Sequence, residues 1–127
     1  MICLLAGSKI APLLAGAITL AWTHSVQKTL WEEDWRATPA GLELVEARIQ
    51  GSGAGMDPPV GARLVDGIWR WRPALPPQSE IAMRRSGATA DWRICIGGRC
   101  LPMDHYVPAD ADPVVMKVCD DGLRRPG

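Results

Sequence analysis

His24 and Glu33 are the side chains best suited to hold or move a proton, and their stretch, WTHSVQKTLWEEDW (residues 22–35), also carries three tryptophans. An imidazole titrates near neutral pH. A carboxylate among indoles needs a charge or several donors to stay ionised. Such a pair has three uses. It can satisfy itself inside a core, orient a polar ligand against Trp22, Trp31 and Trp35, or serve as the acid–base pair of a small hydrolase or isomerase. Ser25 follows His24 directly, so on a strand it points to the other face, which rules against a Ser–His nucleophilic dyad. No catalytic residue is assigned on this pattern, and binding without catalysis is the reading adopted.

These side chains need a hairpin to bring them together. With Gln27-Lys28 as a two-residue turn, His24 falls opposite Trp31, Trp22 opposite Glu33, and Leu20 opposite Trp35. One face then carries Ile18, Leu20, Trp22, His24, Trp31, Glu33 and Trp35 and is expected to be buried. Thr19, Glu32, Asp34 and Arg36 fall on the other, wetter face.

A glycine-rich loop, Gly51 to Met56, resembles a phosphate cradle at first sight. It lacks the Gly-Lys-Ser/Thr ending of a nucleotide loop, and Pro58-Pro59 follow where a helix would have to start. Nucleotide binding is therefore rejected. Gly53 and Gly55 remain as backbone able to approach a ligand closely, either as a plain turn or as a nest of N–H groups.

Cys95-Ile96-Gly97-Gly98-Arg99-Cys100 reads as a hairpin with Gly97-Gly98 as its turn, placing Cys95 opposite Cys100 at disulfide distance. Cys3 and Cys119, on the first and last strands, can form a second bridge. In a reducing compartment all four would instead be thiols. The spacing does not suit zinc, and no metal or other cofactor is expected. His105, in a proline-flanked loop, reads as a surface histidine. Of Arg84 and Arg85, at most one can turn inward toward a carboxylate.

Short apolar segments punctuated by 13 glycines and 11 prolines run the length of the 127 residues. They predict strands at Ile2–Ala6, Lys9–Leu14, Ala17–Ser25, Thr29–Ala37, Leu42–Ile49, Ala62–Val65, Gly67–Arg72, Glu80–Arg85, Ala90–Ile96, Arg99–Pro102 and Val114–Cys119. The expected fold is one all-β domain over residues 1–119, an antiparallel β-sandwich or small barrel with little or no helix, followed by a disordered tail at 120–127. Leu42–Ile49 also has a reading as a short helix. Lysine plus arginine and aspartate plus glutamate number 14 each, with no basic stripe, which excludes a nucleic-acid binder. The apolar N-terminus resembles an export signal, but Lys9 and Pro12 interrupt it, and no run is long enough to span a bilayer. It is read as strands of the domain.

Thr23-His24-Ser25-Val26, Lys28-Thr29, Glu32-Glu33, the Gly51–Met56 loop and the Gly97-Gly98-Arg99 turn together resemble a bacterial family of unknown function, numbered eighteen-fifty. The resemblance runs from Ile2 to Cys119. It implies a small accessory protein of TRAP-type transporters of the TAXI class, with a transporter component or its solute-binding protein as partner. It carries over no catalytic residue. It implies a periplasmic or membrane-associated protein, whereas a chain starting at its first strand without an export signal implies a cytoplasmic one.

Overall fold

The computed structural model describes residues 1–23, 29–50, 60–85 and 91–119. The chain runs through β1 (Ile2–Ala6), β2 (Lys9–Pro12), β3 (Ala17–Thr23), β4 (Leu30–Thr38), β5 (Gly41–Gln50), β6 (Arg63–Val65), β7 (Ile68–Trp71), β8 (Glu80–Met83), β9 (Arg93–Ile96), β10 (Arg99–Pro102) and β11 (Val114–Val118). A single 3₁₀ turn, Met103–His105, is the helical element among the described residues. The expected tail at 120–127 lies outside them.

All pairings are antiparallel and build two sheets, β2-β1-β11-β8 and β10-β9-β3-β4-β5-β7-β6, which do not close into a barrel. The fold is thus the sandwich of the two expected alternatives. Leu42–Ile49 forms strand, not helix: Leu42, Leu44, Ala47 and Ile49 all face inward. The spacing breaks from two to three because β5 shifts register between Asp34 and Trp35 of β4, leaving Val45 as an extra residue. That irregularity gave the stretch its helix-like look.

The apolar N-terminus supplies three strands, and its alternation explains why. Ile2 and Leu4 of β1, Ala11 of β2, and Ile18 and Leu20 of β3 are all buried. They pack with Met83, Val114 and Met116 of the small sheet and with Trp35, Leu42, Leu44 and Ile94 of the large one. Fully burying one such side chain stabilises the fold by about 1.5–3 kcal/mol. Among the described residues, no member of this core comes from β6 or β7. The large sheet therefore extends past its four-stranded partner.

Turns fall where glycine permits them. Asp66-Gly67 and Gly97-Gly98 both take positive φ at each position, as two-residue hairpin turns require. Gly41 opens β5 at φ +126°, and a Cβ there would lie 2.5 Å from the Gln78 carbonyl oxygen. That close approach lets Leu42 and Gln78 exchange backbone hydrogen bonds at 2.7 and 2.8 Å.

Both expected disulfides are present, Cys3–Cys119 and Cys95–Cys100. With every cysteine oxidised, the thiol and zinc alternatives fall away. Arg85 turns inward and Arg84 outward, with 7% and 78% of their side chains exposed. Arg85 grips Asp91 at 2.7 and 3.0 Å and donates to the Pro108 and Ala111 carbonyls, pinning the 103–113 segment to the sandwich. His105 is exposed, edge-on to Tyr106.

Candidate functional site: a tryptophan row at one end of the large sheet

The β3–β4 hairpin presents the expected faces in a different register. Trp22 pairs with Trp31, Leu20 with Glu33 and Ile18 with Trp35, a shift of two residues from the expected alignment. Sliding by two keeps every side chain on its face. Two causes act together. Gln27-Lys28 lacks the glycine or asparagine that a tight hairpin turn wants, and the new register stacks Trp22 on Trp31, ring centres 6.0 Å apart and planes 22° apart. His24, Gly53 and Gly55 lie outside the described residues.

Following the inward face across the sheet gives one continuous row. Leu64 of β6 pairs with Trp69 of β7, Trp69 with Ile49 of β5, Ile49 with Trp31 of β4, and Trp31 with Trp22 of β3. Trp92, just ahead of β9, closes the row with its ring 4.9 Å from Trp22. A second row, one step deeper, holds Trp71, Ala47, Glu33, Leu20 and Ile94. Trp35 stands in the third row, in the core at 3% exposure. Trp22, Trp31, Trp69, Trp71 and Trp92 are half-buried. Trp22 and Trp92 also pack against the core, and Ile49, in the middle of the row, is buried.

Of the expected ligand residues, the structure brings Trp22, Trp31 and Glu33 together and withdraws Trp35 into the packing. Trp69, Trp71, Trp92 and Leu64 join them, and the sequence reading missed these. The signal was present in the alternation Trp69-Arg70-Trp71 straight after a hairpin turn. The pairing of β7 with β5 was not readable from it.

Glu33 sits between Leu20 and Ala47 and, among the described residues, accepts one hydrogen bond, from the Trp35 indole N–H at 3.1 Å. Burial raises its pKa above the ordinary carboxylate value, and the indole bond only partly offsets this.

The opposite face of the same strands is ionic. Arg48 holds both carboxylate oxygens of Asp34 at 2.7 and 2.8 Å, with Glu46 at 2.8 Å and Glu32 at 3.2 Å. Thr19 donates to Asp34 at 2.7 Å, and Arg70 reaches Glu46 at 2.9 Å. The Arg48 hydrogen bonds hold Asp34 below the usual carboxylate range, against the effect of burial. Thr19, Glu32, Asp34 and Arg48 among them line an open depression of about 560 Å³, walled by the Cys95–Cys100 hairpin. They already satisfy one another, so the depression offers a ligand few unspent donors.

The fold is a disulfide-stapled antiparallel sandwich with a row of half-buried tryptophans at one end of its large sheet. The chain belongs to the family described as domain of unknown function DUF1850, which matches residues 18–103. That stretch contains all of the large sheet except Ala17, the first residue of β3. No curated protein and no solved structure matches the chain.

Proposed function

We propose that this protein is a non-catalytic accessory module of a TRAP-type solute-uptake system of the TAXI class, binding through the tryptophan end of its large sheet. The observation that supports it most is the cross-strand row Leu64–Trp69–Ile49–Trp31–Trp22, which sets half-buried indoles side by side at one end of the large sheet. Interface energetics concentrate in tryptophans held rigidly like these. Glu33 lies behind the row, where it accepts a hydrogen bond from the Trp35 indole. The transporter partner comes from the family resemblance.

Titrating short organic acids, and separately the cognate solute-binding protein, while following tryptophan emission tests the reading. A saturable change that weakens about tenfold in Trp69→Ala is expected. Unchanged emission with every acid and with the binding protein overturns it.

A further inference from the structure

The Cys95–Cys100 bridge closes a loop that is already closed. Gly97 and Gly98, at φ +60° and +83°, make the turn of the β9–β10 hairpin, and the ladder pairs Ile96 with Arg99, Cys95 with Cys100, Ile94 with Leu101 and Arg93 with Pro102. The arm is anchored besides. β9 pairs with β3 through Arg93, Ile94 and Cys95, Ile94 and Met103 are wholly buried, and the Met103 N–H donates to the Trp92 carbonyl at 2.8 Å. A tie across a sequence separation of 5 constrains such a hairpin far less than Cys3–Cys119, across 116, constrains the whole chain.

Access separates the two bridges as well. Cys95 is the cross-strand neighbour of Thr19, on the face of the large sheet opposite the tryptophan row. Cys95 and Cys100 are half-buried and line the open depression together with Gly97 and Gly98. Cys3 is only 2% exposed. Exchange requires a thiolate to reach a disulfide sulfur, so its rate follows that access. Cys95 and Cys100 also face each other one step behind the pair that closes the turn, where a two-residue hairpin brings side chains closest. The ladder keeps the two sulfurs side by side when their bond opens, so the bond can form again.

We propose that Cys95–Cys100 is a reversible thiol-exchange site whose co-substrate is a thiol or dithiol reductant, while Cys3–Cys119 is structural. A reductant thiolate attacks one cysteine sulfur and forms a mixed disulfide, and the other cysteine leaves as a thiolate that takes a proton from water. A second reductant thiol then displaces the first cysteine. Two electrons pass to the protein, which gains two thiols, and the reductant leaves as a disulfide. An incoming disulfide runs the same steps backwards.

The native protein, without denaturant, is incubated with reduced glutathione and separately with reduced thioredoxin, quenched with iodoacetamide at intervals, and mapped by mass spectrometry. Alkylation at Cys95 and Cys100 should appear at least about tenfold faster than at Cys3 and Cys119, with tryptophan emission unchanged. Oxidised glutathione should then restore the Cys95–Cys100 bridge. Reaction with glutathione alone assigns a small thiol as the source, and faster reaction with thioredoxin assigns a protein dithiol. Both bridges opening at one rate, the terminal bridge opening first, or neither opening until native emission is lost overturns the proposal, as does failure of the opened bridge to re-form.

Discussion

Glu33 is a carboxyl group between two apolar neighbours, Leu20 and Ala47, with one indole N–H among the described residues to stabilise its charge. Its pKa is raised from 4.5 by burial, so the folded state holds its proton more tightly than the unfolded chain does. Stability contributed this way is present below the unfolded value and declines as pH rises through the folded one. At neutral pH the ionised group is therefore a net cost. Glu33→Gln keeps an oxygen to accept from Trp35 and removes the charge. Its melting temperature should exceed the parent's at about pH 7, and the two should converge on acidification toward pH ~4. Paired thermal melts across that range measure it. A variant less stable than the parent at neutral pH would mean the carboxylate is better compensated than a single indole allows.

At the scale of the strands, the ionic face reinforces the ladders that join β4 to β5 and β5 to β7: Arg48 reaches Glu32 and Asp34 across the first seam and Glu46 reaches Arg70 across the second. Arg48→Met keeps most of the volume and leaves Glu32, Asp34 and Glu46 facing one another. It should cost about 2 kcal/mol at neutral pH, between the value of an exposed pair and a buried one. The sign with pH follows from Asp34, whose pKa is lowered from 3.8 chiefly by the Arg48 bonds. That stabilisation is present above the unfolded value and lost as pH falls through the folded one. Urea unfolding should show the gap between parent and variant narrowing in acid. The alternation along β3 and β4 was enough to read both faces, and each of the eleven strands was legible from its turns. The hairpin register was not, since stacking of Trp22 on Trp31 outweighed the tight turn assumed at Gln27-Lys28. The convergence of Trp69 and Trp71 on Trp31 was illegible for another reason. It depends on β7 pairing with β5 across an intervening loop and β6, and local pattern carries no trace of partner choice.

The whole molecule is closed by its ends. β1 pairs with β11, the Cys119 N–H donates to the Met1 carbonyl at 2.9 Å, and Cys3 is bonded to Cys119 across a sequence separation of 116 residues. Cys95–Cys100 spans a separation of only 5. Cross-linking removes more freedom from the unfolded chain as the closed loop lengthens, which puts the terminal bridge at about 4–5 kcal/mol and the hairpin bridge at about 2. The two also differ in what they hold. The terminal bridge ties the strands that carry Ile2, Leu4, Val114 and Met116, most of the small sheet's share of the core that also holds Trp35. The hairpin bridge braces an arm at the sheet's edge, next to the depression over Asp34. Replacing Cys3 and Cys119 together by alanine should therefore lower the urea midpoint far more than replacing Cys95 and Cys100 together. It should also expose Trp35, red-shifting emission under conditions where the hairpin variant still shows the parent spectrum. Equal losses from the two double variants would mean that the terminal strands stay docked without their covalent tie, held by the core alone.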